Sequence, residues 1–420
     1  MTSIELDMMQ TMAVGILALL LGMFLNKKSG FLRGICIPAP VTGGIIFSLI
    51  TLAIYSIWGL EVKFDATLKD ICMVVFFTTV GYQSNLTVIK EGGRPLAIIV
   101  ALIAVLIACQ DLIGVGIAEG LGISPLLGLS AGSITMCGGH GTAAGFSPLL
   151  ESMGLDAAAS VTMAAATFGL LGGSLLGGPL AERIIRRKGL AASATADAAA
   201  SETLSSNDAI EEAAKEVAAR EAVETTVSAV DEQGSTSGYA KAAYEIFIAA
   251  GIGTLLNKLL ALTGISFPTY FGALIVAAII RNVSELVPNC PKTAIDEISS
   301  IGGISLSLFL GMAMVTLRLW ELSGLALPLV IILCAQILFM FIFGRFIAFP
   351  LLGRDYDAAV LVSGVCGFGL GATPNAMANM SAVCSKYRYS AMPFIVVPVV
   401  GAMFVDIINI GIITLFLNLI

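Results

Sequence analysis

The feature that most constrains this chain is a series of apolar runs, each near the length of a bilayer crossing, interrupted once in each half by a glycine-rich stretch. A membrane core about 30 Å thick needs about 20 predominantly apolar residues per helix. Five runs near residues 11-26, 42-59, 71-89, 96-118 and 158-182 approach that length, and five more follow near 243-262, 267-280, 299-317, 325-344 and 391-418. Composition agrees: 57% hydrophobic and 12% charged residues stand far from the roughly 45–50% and about 25% of soluble domains. The expected class is an all-α polytopic membrane protein with ten transmembrane helices.

Two apolar stretches, 124-152 and 356-385, are too crowded with Gly, Ser, Thr, Pro and Asn to be simple spans. Broken backbone at membrane depth is tolerated only where it lines a cavity or is buried in protein, so each is expected to be a re-entrant hairpin. The chain then divides into an N-terminal membrane repeat, 1-188, a linker, 189-238, and a C-terminal membrane repeat, 239-420. Five helices per half start the second repeat from the opposite side, giving inverted five-helix repeats. Internal similarity supports this. IPAPVTGG (Ile37 to Gly44) and SFPTYFG (Ser266 to Gly272) open the second run of each half. Gln110 and Gln336 sit in the fourth runs, and CGGHGTAAG and CGFGLGATPNA begin at Cys137 and Cys366, 27 and 30 residues later.

The net charge of -7 misleads about partners. Carboxylates from Asp197 and Glu202 to Asp231 and Glu232, against only Lys215 and Arg220, place the acidic excess in the linker, which reads as a solvated connection. Its EEAAKEVAAREAVE segment has helical composition. Alternation from an outside start leaves only Lys63, Lys69, Lys258 and Arg318 outside, while the basic ends near Lys27, Arg186, Arg281, Arg345 and Lys386 fall inside. The positive-inside rule thus predicts external termini and a cytoplasmic linker. The N-terminus MTSIELD lacks the basic region of a cleavable signal peptide. The 8 cysteines occur without a CxxC pair, and there is 1 histidine. A disulfide framework, a His-based metal site and nucleic-acid binding are therefore not expected, and no cofactor is implied.

Chemistry concentrates at the glycine-rich motifs. Gly138, Gly139, Gly141, Gly367, Gly369 and Gly371 would let backbone approach a ligand or adopt positive φ. Ser133, Thr135, Thr142, Thr373, Asn375 and Asn379 supply neutral hydrogen-bonding groups beside them. Half-helix N-termini at the breaks suit a carboxylate, and exposed carbonyls suit Na+. His140 is either a substrate or proton group or a structural histidine bonded to a backbone carbonyl. Gly172, Gly173, Gly177 and Gly178 read as helix packing. Asp406, with Asn409 on the same face, is the leading intramembrane charge; it is either a sodium ligand or a partner of a helix end. Asp111 ranks second, and Gln110 and Gln336 are further sodium candidates. Thr78, Thr79, Gln83, Ser84 and Asn85 either line a pathway or bond to their own backbone. The motifs lack the preceding strand of a dinucleotide fingerprint.

At IPAPVTGG, AGSITMCGGHGTAAG (Ala131 to Gly145), CGFGLGATPNAMANM (Cys366 to Met380) and VVPVVGAMFVDIIN (Val396 to Asn409), the chain resembles the bacterial glutamate:sodium symporters. The resemblance spans nearly the whole length except the linker. It implies a homodimeric inner-membrane carrier, not an enzyme, that takes up L-glutamate with Na+ by moving a transport domain against a scaffold. Cys137 stands where the family pattern has serine, and Asp111 where a neutral amide is more usual. The rival expectations are a sodium-coupled carrier for another organic anion and the membrane subunit of a sodium-pumping decarboxylase.

Overall fold

The computed structural model describes residues 2–30, 32, 37–84, 93–190, 236–264, 266–286, 294–322 and 324–420. The EEAAKEVAAREAVE segment, Asn85, Cys36 and Cys290 lie outside them.

The first half contains α1 (Met8–Lys28), α2 (Ala39–Trp58), α3 (Thr67–Gln83) and α4 (Gly93–Gly120). A hairpin follows, with one arm made of α5 (Pro125–Ser130) and α6 (Ser133–Met136) and the other of α7 (Gly139–Ser152); α8 (Ala158–Lys188) closes the half. The second half repeats this order with α9 (Thr236–Ala261), α10 (Phe271–Leu286), α11 (Ile295–Val315) and α12 (Ala326–Ile342). Its hairpin is α13 (Tyr356–Gly369) and α14 (Thr373–Lys386). The last helix, α15, runs from Ala391–Val400 through a π turn, Gly401–Val405, into Asp406–Leu417.

Local chemistry sets the ends. Asp7 accepts from the Gln10 amide at 2.8 Å while the Gln10 side chain accepts from the Asp7 amide at 3.0 Å, a reciprocal cap on α1. Pro38 precedes α2, and Gly59 ends it at φ 62°. Asp355 caps α13 by accepting from the Ala358 amide at 2.8 Å.

Among the described residues, seven helices are long and apolar enough to cross a membrane. The shortfall against ten runs has particular causes. The π turn divides the last run, while α3 and α10 span 17 and 16 residues. The all-α expectation also needs one addition: Thr2–Leu6 (β1) and Leu60–Phe64 (β2) pair in parallel as a short ribbon. The six described cysteines, Cys72, Cys109, Cys137, Cys334, Cys366 and Cys384, are unbonded.

The helices associate in two groups drawn from both halves. Helices α1, α2 and α3 pack with α9, α10 and α11, and the two hairpins pack with α4, α8, α12 and α15. In the first group, close crossings depend on glycine in corresponding places. A Cβ on Gly22 or Gly43 would enter the backbone of the facing helix at the α1–α2 crossing, and the same holds for Gly253 and Gly272 at the α9–α10 crossing. Aromatic rings mark the boundary between the groups. Phe77 of α3 stacks on Tyr270 with ring centroids 3.7 Å apart, and Phe146 of α7 meets Tyr270 edge-on at 6.2 Å. Gly145 leaves room for this, since a Cβ there would stand 2.8 Å from the Tyr270 ring.

Charged groups separate by end. Arg318 pairs with Glu61 at 3.2 Å and Glu321 at 3.4 Å, and Lys63 pairs with Glu5 at 3.7 Å, all near the ribbon. Lys386 pairs with Glu182 at 2.6 Å beside the basic last turn of α8. Leu17, Leu20 and Phe24 on α1 and Phe247, Ile248 and Leu255 on α9 are exposed, as expected of surfaces facing hydrocarbon.

Replacing Gly43 with Leu should force α1 and α2 apart. The expected outcome is a lower unfolding midpoint in detergent, with a cost of about 1–3 kcal/mol or more from overpacking, read by a thermal unfolding assay of the purified protein.

Candidate functional site

The hairpin turns meet. Gly139, at the start of α7, has φ 59°, a conformation readily available to glycine. A Cβ on it would stand 2.7 Å from the Gly371 carbonyl oxygen in the other turn. Helices α7 and α14 therefore begin beside each other. Neither has a side-chain hydrogen bond capping its N-terminus, although the first amides of a helix lack intrahelical partners. Pro374 follows Thr373 in the first turn of α14, where its missing N–H costs nothing.

The other motif glycines work by close approach rather than positive φ. Only Gly139 among them has φ in the left-handed region. Gly367 brings α13 against the backbone of α14 at Ala376, and Gly138 lies against Thr142 and Asn409. Gly369 faces Leu106 and Met340, while Gly371 faces Leu170 and Asn375. Gly141 has Phe76 as its nearest neighbour at an ordinary 3.5 Å.

Polar side chains repair the backbone that these breaks leave open. Within the first hairpin arm, the helix is interrupted between Ser130 and Ser133. Asp111 of α4 accepts from the Ser133 amide at 2.7 Å and from the Ser133 hydroxyl at 2.9 Å. Thr135 donates to the Ser130 carbonyl at 2.8 Å, and Asn409 donates to the Ser133 carbonyl at 3.2 Å. In the second hairpin, Gln110 donates to the Gly369 carbonyl at 2.6 Å. Gln336 donates to the Gln110 carbonyl at 2.8 Å. All these side chains are buried.

Helix α8 is the common wall. Asn375 donates to the Leu170 carbonyl at 3.2 Å and accepts from the Ser174 hydroxyl at 2.7 Å. Asn379 donates to the Gly173 carbonyl at 3.0 Å. The His140 Nε2 lies 3.0 Å from the Thr167 hydroxyl, so its partner is a side chain of α8 and not the backbone carbonyl that one of its two sequence readings gave it. Gly173 and Gly177 make room for Asn375 and Asn379, and Gly172 for Ile337. Gly178, by contrast, faces nothing within 4 Å and does not take part in the expected packing. Thr167 and Ser174 were missed as partners; their i,i+7 spacing, with Leu170 between them, was the available signal.

Three oxygens near these breaks are buried without a hydrogen-bond partner: Gln110 Oε1, Gln336 Oε1 and Asn409 Oδ1. Asp406 follows the π turn of α15, one helical turn before Asn409, and makes no ion pair or hydrogen bond among the described residues. A helix-end partner for it is therefore not seen. Thr373 packs against Gly401 in that π turn. Thr78 and Thr79 donate to the Val74 and Phe76 carbonyls of their own helix, each at 2.7 Å, so these hydroxyls are committed locally.

Apolar spans around paired broken helices define a polytopic membrane protein, with an architecture that many transporters share. The sodium/glutamate symporter family profile matches residues 4–389. The chain is similar to the sodium/glutamate symporter of Escherichia coli (strain K12), 38% identical over 416 residues, or 99% of this chain and 98% of that one. It is also similar to the sodium/glutamate symporter of Haemophilus influenzae, 37% identical over 403 residues, or 95% and 94%. The chain belongs to the sodium/glutamate symporter family, whose members are transporters and not enzymes.

Gln110→Ala leaves the Gly369 carbonyl unpaired. A buried polar group without its partner costs about 1–3 kcal/mol, so the variant should show a lower unfolding midpoint in detergent while still inserting into membranes.

Proposed function

We propose that this protein carries L-glutamate into the cell with Na+ across the bacterial inner membrane. The supporting observation is the meeting of the two hairpin turns, which sets the uncapped N-termini of α7 and α14 side by side. Helix N-termini present unpaired N–H groups and partial positive charge, which favour a carboxylate. Gly139, His140, Gly141 and Thr142 on one side and Gly371, Thr373 and Asn375 on the other form the substrate site. Ser133, Thr135, Gly138, Gly367, Gly369 and Asn379 shape it from behind. Na+ is held by oxygens: Asp406, Asn409 Oδ1, Gln110 Oε1 and Gln336 Oε1.

The architecture is ten transmembrane helices in two inverted repeats, each with a re-entrant hairpin, with both termini periplasmic and the acidic linker cytoplasmic. The separation of Arg318, Glu61 and Lys63 from the basic end of α8 supports that orientation. The hairpin-bearing group of helices moves against the group containing α1, α2 and α9 in elevator fashion. The small-residue face of α7 at Gly141 and Gly145 supports this, because it meets Phe76, Phe77 and Tyr270 without a hydrogen bond across those contacts. The homodimer is the assembly implied by the family resemblance.

Inward movement of net positive charge is worth about 2.3 kcal/mol per charge per 100 mV, so each Na+ beyond charge balance steepens accumulation. In proteoliposomes holding this chain alone, an inward Na+ gradient should drive saturable L-glutamate accumulation, and K+ or proton gradients should not. Failure with folded protein overturns the reading. Gly139→Ala introduces strain at φ 59° and pushes toward Gly371, so uptake should fall at least tenfold. Gly145→Leu should slow transport while leaving glutamate binding, read by calorimetry, within about threefold.

A further inference from the structure

Asp111 is a fully buried carboxylate on α4 whose nearest partners are both supplied by Ser133. Its Oδ1 accepts from a backbone N–H, a bond that the ionised form makes best. No lysine, arginine or histidine pairs with it among the described residues, and His140 is engaged by Thr167. A buried carboxylate without a countercharge is among the costliest arrangements in a membrane interior. Two features of α15 bear on it. The Asn409 side chain, donating to the Ser133 carbonyl, keeps a buried Oδ1 with no partner. Asp406 lies one turn before Asn409 on the same helix.

Asp111 and Asn409 thus both bind Ser133 at one break in the first hairpin, the first bringing a carboxylate without a countercharge and the second an amide oxygen without a partner. We propose that Asp111 is a ligand of a coupling Na+ and, together with Asn409 Oδ1, forms a cation site on the α4 side of this hairpin in addition to Asp406. The inference rests on the sodium-coupled reading above and adds a residue to it. Occupancy would neutralise Asp111 and tie α4, α15 and the hairpin arm together before the loaded site moves. An Asp111 that serves only to cap the broken arm makes a different prediction, because asparagine retains an acceptor for the Ser133 amide.

The test is Asp111→Asn in proteoliposomes, with glutamate uptake measured against Na+ concentration at pH 6, 7 and 8. Thermal unfolding of the detergent-purified protein in NaCl against KCl supplies a readout without transport. The expected result is a rise of at least tenfold in the Na+ concentration for half-maximal uptake, a lower Hill coefficient and a smaller stabilisation by NaCl. If Asp111→Asn does not fold, Asp111→Ser should produce the same shifts. Unchanged Na+ dependence and unchanged NaCl stabilisation in a folded variant overturn the site. Loss of pH dependence alone also overturns it and assigns a proton to Asp111. Absence of Na+-driven glutamate uptake in the unaltered protein counts against the transport reading, while its NaCl stabilisation still decides whether Asp111 binds the ion.

Discussion

In hydrocarbon there is no water to pair with a backbone amide or carbonyl, so a broken helix inside the membrane must find its partners within the protein. This chain breaks helices in both hairpins and in one hairpin arm, and several of the buried polar side chains around them serve that requirement. Asp111, Thr135 and Asn409 bridge the interruption around Ser130 to Ser133. Gln110 holds the end of α13, while Asn375 and Asn379 bind the carbonyls of α8. The hairpins can keep open ends only where the two turns face each other.

That arrangement separates support from function. The amide nitrogens of Gln110, Gln336 and Asn409 are spent on backbone, whereas their carbonyl oxygens are not. Amide side chains are suited to this division because one end donates and the other accepts. The same residues can therefore fix the hairpins and offer hard oxygen ligands to a cation. Around them, the two groups of helices use different packing. Gly22, Gly43, Gly253 and Gly272 lock one group through backbone contact, while ring contacts at Phe77, Tyr270 and Phe146 join the groups, with hydrogen bonds between them at Ser160–Arg318 and Ser266–Asn418.

Much of this was legible from residue order. Apolar runs located the long helices, with ends off by as much as seven residues at the start of α9, and glycine, proline and asparagine marked both places where helices break. Helix ends were less legible: α10 starts at Phe271, past Pro268, and the π turn before Asp406 leaves no mark in hydropathy. Motif residues were identified as a group, but their individual roles were not. Asn375 and Asn379 looked equivalent to free ligands until α8 supplied their partners, and Gly178 looked like Gly177 until only one of them met a neighbour.

The sequence by itself determined membrane residence and the family, because bilayer length and glycine-rich punctuation are one-dimensional signals. Only the tertiary structure decided that Gly139 touches Gly371 and that α8 holds both hairpins. It also decided that Asp111 meets Ser133, 22 residues away. Those facts depend on which helices become neighbours. Membrane helices share one apolar character, so their pairing is set by the fit of small residues and a few polar groups rather than by hydropathy.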